Sequence, residues 1–234
     1  MAAAVFAFVC AQTACTNSSG SDRWSDIELM PVKLGADSKW SMVDHDGTVV
    51  YDGEFAKTPS CAVNGFFSVE EGEGYTLYKT GGKSPEAIDG LENLKYIGYV
   101  SDGLVPVTKK NSRITIVKPN GEWTFELLPY QNAEIVECAR SFSEGMLPFK
   151  TEDDKVGYYN TKGEIAINPV HSFADEFNEG LAVVGKKEES DKEIKYSVID
   201  KKGETVFKLK DGVSFETSVF MGGYIVLVEK QSKY

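Results

Sequence analysis

The stretch DKVGYYNTKGEIAINPVHSFADEFNEGLAVVGK, Asp154–Lys186, sets the pattern for the whole chain. It reads as a strand, a tight turn at Gly163, a second strand, a long link, and a turn at Gly180 that feeds a third apolar strand. Glycine supplies the positive φ that such turns need. Aligned on the hairpin glycine, further copies centre on Gly47, Gly82, Gly121 and Gly203, so that the five lie 35, 39, 42 and 40 residues apart. Seven residues before each glycine stands Trp40, Tyr75, Ile114, Val156 or Tyr196, followed by one small residue and two apolar ones. A second glycine (Gly65, Gly103, Gly145, Gly180 or Gly223) opens an apolar run in every copy. Self-similarity at a fixed period is the mark of a repeat architecture.

The strands can be typed by position: A begins at Trp40 and its equivalents, B follows the hairpin glycine, and C follows the second glycine. Side chains alternate between faces along a strand. Strand A is apolar on both faces, as in Met42-Val43, Tyr158-Tyr159 and Val198-Ile199, so it must be covered on both. The small residue is expected to let a neighbouring sheet approach. Strand C carries Pro31, Pro106 and Pro148 at one position, which lacks an N–H to donate and reads as an edge. The expected unit is therefore three antiparallel strands, C–A–B, with A in the centre. About five such units make an all-β array with β-propeller-like stacking, closed or open. The runner-up is a hairpin β-solenoid.

These motifs resemble the WG-repeat (WG beta repeat) family. Val156-Gly157-Tyr158-Tyr159-Asn160-Thr161-Lys162-Gly163 matches the first half of that repeat. Ile167-Asn168-Pro169 and Phe177-Asn178-Glu179-Gly180-Leu181-Ala182 match the rest. Looser copies begin at Trp40 and Tyr196. The resemblance implies architecture more than chemistry.

The N-terminus departs from the repeats. Ala2–Ala11 is an apolar run, followed by Gln12-Thr13-Ala14-Cys15 and a polar Ser-rich tether. That order resembles an export signal with a lipidation site at Cys15. Residues 1–22 are thus expected to be signal and tether, residues 23–234 the β-repeat domain, and the location the cell envelope. The net charge of −11 excludes nucleic acid and leaves a lipid anchor as the only route to a membrane. Of the remaining cysteines, Cys61 and Cys138 are expected to be buried free thiols.

No stretch carries a catalytic signature. Thr80-Gly81-Gly82-Lys83-Ser84 ends like a phosphate-binding loop, but Leu77 stands where its first glycine belongs. Asp44-His45-Asp46-Gly47 hints at a cation loop without the closing Glu. His45 and His171 are the only histidines and occupy different repeat positions. No enzyme activity, cofactor or metal is expected.

The C-to-A loops vary most between copies, and variable loops on a rigid frame are where binding resides. They carry blocks of charge: Glu70, Glu71 and Glu73; Lys109, Lys110 and Arg113; Glu152, Asp153 and Asp154. These nine are the candidate binding residues, for a protein or glycan partner at the cell envelope. The alternative is a glycan-active hydrolase using those loop carboxylates.

Overall fold

Runs of Val, Ile, Tyr and Phe between turn glycines favour extended backbone, and every regular element of the described residues is a β-strand. The computed structural model describes residues 27–187, 193–210, 213–215, 220 and 222–229. The first repeat contains β1 (Ile27–Lys33), β2 (Trp40–Val43) and β3 (Val49–Phe55). The second contains β4 (Ala62–Val63), β5 (Phe66–Glu71), β6 (Gly74–Lys79) and β7 (Glu86–Ala87). The third contains β8 (Tyr96–Ile97), β9 (Val105–Thr108), β10 (Ile114–Val117) and β11 (Trp123–Glu126). The fourth contains β12 (Ile135–Cys138), β13 (Met146–Thr151), β14 (Val156–Asn160) and β15 (Ile165–His171). The fifth contains β16 (Phe173–Ala174), β17 (Leu181–Lys186), β18 (Lys195–Asp200) and β19 (Thr205–Lys208). A last pair, β20 (Val213–Phe215) and β21 (Leu227–Glu229), follows.

The C–A–B order holds in every repeat, but strand C is not an edge. A short inner strand flanks it, giving four-stranded antiparallel sheets ordered β8-β9-β10-β11, β12-β13-β14-β15 and β16-β17-β18-β19. In the first two repeats β4 pairs with both β1 and β5 and joins their strands into one seven-stranded sheet. The prolines fit because the inner strand ends beside them. Gly98 donates to the Pro106 carbonyl and Ala139 to the Pro148 carbonyl, each at 2.8 Å, and neither proline need return a bond. Ser60 to Ser68 and Asp175 to Val183 repeat the contact. In the fourth repeat this link, Ala139 to Pro148, spans one residue more than its three counterparts.

The two-faced reading of strand A explains the packing. Met42, Leu77, Ile116, Tyr158 and Val198 each enter the core shared with the following sheet. Tyr78, Val117, Tyr159 and Ile199 each enter the core shared with the preceding one. The hydrophobic interior is thus a series of separate cores, each held between two consecutive repeats, in blade-like β-propeller stacking. Trp40 and Tyr196, at the head of strand A, are half-buried at the margins of their cores rather than inside them.

The small residue on strand A faces its own hairpin, not a neighbouring sheet. A β-bulge in the partner strand presses backbone against it. Register shifts between Val156 and Tyr158, and a Cβ at Gly157 would meet Ile167 O at 2.6 Å and Pro169 N at 2.7 Å. Ser41 fills the same place in the first repeat, where its Oγ accepts the Gly53 N–H at 2.8 Å. The hairpin turns are capped by their own Asx residue. Asn160 Oδ1 accepts from the N–H groups of Lys162 and Glu164, and Asp200 Oδ1 from those of Lys202 and Glu204. Asp44 does the same for Asp46 and Thr48, which accounts for this acid without a cation.

A further set of bonds runs between repeats. Beyond the first repeat, the apolar run of strand C is preceded by two residues at positive φ: Asn64-Gly65, Asp102-Gly103, Glu144-Gly145, Glu179-Gly180 and Gly222-Gly223. The carboxylate of one turn reaches the N–H of the next. Asp102 accepts from Gly145 at 2.7 Å, Glu144 from Gly180 at 2.9 Å, and Glu179 from Gly222 and Gly223 at 2.7 and 2.6 Å. Glu28 accepts likewise from Gly65 at 3.0 Å.

Cys138 is a free thiol, whereas Cys61 is disulfide-bonded, which corrects the expectation of two free cysteines. The two are therefore not joined to each other.

A test of the bulge reading follows from Gly157. Gly157→Ala forces β15 away from β14 and is expected to destabilise by about 1–3 kcal/mol, the usual cost of overpacking. At about 2–4 °C per kcal/mol the melting temperature falls by several degrees. The same change at Gly145, where a Cβ has open space, carries only the penalty of its positive φ.

Candidate functional site

The C-to-A loops emerge where strand C ends and strand A begins, opposite the A-to-B hairpins. Glu70 and Glu71 close β5, and Gly72 turns the chain at φ +59° before β6. Glu71 accepts the Tyr78 hydroxyl at 2.9 Å. Partial burial, and then this carboxylate, push Tyr78 up to about 12. Glu73 lies 3.8 Å from Lys110 Nζ, a contact between the loops of repeats two and three. Lys109 and Lys110 are exposed, on a turn closed by Ser112 N–H to Lys109 O.

Arg113 is pinned. Its Nε and Nη2 donate to both oxygens of Glu134 at 3.1 and 2.9 Å, a bidentate pair. Hydrogen bonding within the pair raises Arg113 and lowers Glu134 from their ordinary values. Glu134 in turn exchanges bonds with Glu152: its N–H donates to Oε1 at 3.2 Å, and its carbonyl accepts from the Glu152 N–H at 2.9 Å. Asp153 accepts the hydroxyl of buried Thr151, and Asp154 pairs with Lys150 at 2.7 Å. The Lys150 bond holds the Asp154 carboxyl below its usual range.

The structure thus brings Glu73 to Lys110, and Arg113 through Glu134 to Glu152. It leaves Glu70 and Lys109 at the surface, and pairs the exposed Asp153 and Asp154 within their own loop, with Thr151 and Lys150. The fifth loop, Lys186–Glu193, includes residues 188–192, which lie outside the described residues, as do Cys15 and the rest of residues 1–22. Thr80–Ser84 lies between β6 and β7, where the Gly81 N–H donates to the Tyr51 hydroxyl at 3.2 Å.

The sequence reading missed a second feature on the inner strands. Between repeats three and four these strands touch. Tyr99 N–H donates to Arg140 O at 2.7 Å, and a Cβ on Gly98 would lie 2.0 Å from that same oxygen. Between repeats four and five lies a cleft of about 420 Å³, walled by Glu137–Arg140, Pro148–Lys150 and Ser172–Glu176. Cys138 lines it as a thiol rather than a thiolate, since burial pushes it up to about 12. Asp175 is fixed by three hydrogen bonds. Its N–H bonds Val183, its carbonyl accepts the buried Tyr158 hydroxyl at 2.6 Å, and its Oδ1 accepts the Glu176 N–H at 2.8 Å. Burial raises the Asp175 carboxyl to about 6, against a backbone bond that lowers it. The one visible signal was Arg140, an arginine in a link where no other copy has one.

The fold defines an all-β repeat protein of stacked antiparallel sheets. Residues 157–188 match the WG containing repeat, overlapping nearly all of the stretch from which the pattern was first read. No curated protein matches the chain. Solved structures similar to it include the computationally designed Ika8 protein, 11% identical with a TM-score of 0.50, covering 88% of this chain and 68% of that one. BamB from Moraxella catarrhalis is 12% identical with a TM-score of 0.48, covering 87% and 65%. At 11% identity the first of these speaks to the fold alone.

Asp175 yields a stability test with a defined sign. Its folded pKa, about 6, lies above the ordinary 3.8, so ionisation is penalised in the folded state. The penalty is absent below pH 3.8, grows as pH rises, and is complete above about 6. Asp175→Asn keeps the Oδ1 acceptor and is expected to stabilise by roughly 1–3 kcal/mol at pH 7.5 and little at pH 4. Urea titrations at the two pH values read the difference.

Proposed function

We propose that this chain is a non-catalytic, envelope-tethered repeat protein that uses the C-to-A loop end as a binding surface for a protein or glycan. The observation that carries the reading is the set of contacts tying loops of adjacent repeats together. Glu73–Lys110 joins repeats two and three, and Arg113–Glu134–Glu152 joins three and four. Exposed ion pairs add little stability. Anchored to stacked sheets, they set acidic and basic patches at fixed positions, which steers a partner of complementary charge. In the hydrolase alternative, the same loop carboxylates act on a glycan.

A pull-down from envelope extract separates the readings. Lys109→Glu with Lys110→Glu is expected to lose the partner, while Lys162→Glu, on an A-to-B turn, retains it. Retention in the first variant and loss in the second would place binding at the other end. Turnover of a glycan by the purified chain, abolished by one loop carboxylate substitution, would establish the hydrolase instead.

Tethering through Cys15 makes a separate prediction. Cys15→Ser should move the protein to the soluble fraction.

A further inference from the structure

We infer that the open edge of β12, beside the cleft between repeats four and five, is a docking site for an extended basic segment of a partner protein. The site is distinct from the charged loop end and does not depend on it. The inner strands β4, β8 and β16 have two residues each, and β4 is paired on both sides. β12 has four residues, pairs only with β13, and carries Val136, which is 57% exposed. An edge strand of this kind presents unpaired N–H and C=O groups to a further strand. The neighbouring inner link leaves room for one. Tyr99, Arg140 and Glu176 each follow the residue that donates to strand C. Between repeats three and four, Tyr99 N–H donates to Arg140 O at 2.7 Å. Between repeats four and five, Arg140 and Glu176 share no backbone bond, and the cleft of about 420 Å³ lies between their segments.

The register decides what a docked strand would meet. Glu137 pairs with Lys150, and Lys150 with Val156, which sets these residues in one row across the sheet. Cys138 and Phe149 form the next row and pack into the core shared with repeat three. The first row lines the cleft, and Ser172–Glu176 walls it from repeat five. A strand added to β12 prolongs the first row, so its cleft-side residue lands beside Glu137 and toward Asp175. The cations of the cleft are already engaged. Lys150 pairs with Asp154 at 2.7 Å, and the Arg140 guanidinium carbon lies 5.2 Å from the centroid of the Tyr99 ring, which belongs to repeat three. Among the described residues, no cation is bonded to Glu137 or Asp175. A Lys or Arg on the incoming strand supplies one. Opposite charges on paired strands stabilise and like charges destabilise. The net charge of −11 steers the same kind of partner and repels an acidic one. Main-chain bonds give such a strand its affinity, and the cleft-side residue gives it selectivity.

The test titrates the full chain with a short fluorescent peptide of alternating Val and Lys, acetylated and amidated, and reads anisotropy. Its companions are the same peptide with Glu for Lys, and two forms N-methylated on alternate amides, one in each register. The basic peptide is expected to bind saturably, and more weakly as salt rises. The Glu peptide should not bind. Methylation in one register should abolish binding, because alternate N–H groups of a strand face its partner. Glu137→Lys, at an exposed position, should weaken binding about tenfold with the melting temperature unchanged. Glu70→Lys, the same change of charge at the loop end, should leave it intact. Amide hydrogen exchange at Val136–Cys138 should slow in the complex. The inference is overturned by no saturable binding of the basic peptide, by binding that survives methylation in both registers, or by equal binding of the Glu peptide. It is likewise overturned by equal binding to the Glu137 variant, by an equal loss in the Glu70 variant, or by protection of β12 through a second copy of the chain in place of the peptide.

Discussion

A side chain that crosses from one repeat to the turn region of the next ties the array together. It is a carboxylate from Glu28, Asp102, Glu144 or Glu179, and between repeats two and three the Asn64 amide, which donates to the Val100 carbonyl. At Gly65, Gly145, Gly180 and Gly222-Gly223 the turn before strand C presents its glycine N–H to the preceding repeat. Asp102, Glu144 and Glu179 fill that need from the preceding repeat, at 2.6–2.9 Å. Each acid sits at φ near +50°, a conformation that disfavours L-residues by roughly 1–2 kcal/mol. A charge-assisted bond to a backbone amide is of the size needed to offset that. The conformation also aims the side chain forward along the array. At Glu144, burial alone would raise the carboxyl, but the Lys201 ammonium and the Gly180 N–H hold it below its ordinary value. With turns tied in this way, the two apolar residues of strand A meet a sheet on either side.

What could be read from the chain was whatever a repeat writes five times. Turn glycines, the paired apolar residues of strand A and the apolar run of strand C follow from local pattern, and they lie where that pattern put them in most copies; in the second repeat the positive φ falls on Gly81 rather than Gly82, and the last strand begins at Leu227. The inner strands do not. β8 and β16 are two residues each, with no alternation of their own, and exist because strand C offers them a ladder. The prolines misled for the same reason. A missing N–H marks a place that cannot donate, and the place proved to be where a partner ends rather than where none exists. Gly157 was read as space for a neighbouring sheet, but the pressure comes from a bulge one strand away, which sequence spacing does not reveal.

The candidate sites divide likewise. The charged loops were legible because each is one continuous stretch whose composition differs from its equivalents. Their internal pairing was not: Arg113 finds Glu134, twenty-one residues on, through the stacking of two repeats. The cleft left almost no trace. Its walls are short ordinary segments, and its carboxyl and cationic groups are common surface residues until the fold gathers them. Asp175 looked like any acid beside Glu176, and only burial distinguishes it.

The inner strand of the fourth repeat reaches its proline over one residue more than its counterparts in repeats two, three and five. The sheet absorbs that insertion without loss of the strand order or of the core on either side. An architecture of this kind can therefore vary its interior by single-residue insertions in the inner links while the stacking is left alone. Copies of one unit then become individually addressable positions, and a lineage could open or close a recess at one of them without redesigning the others.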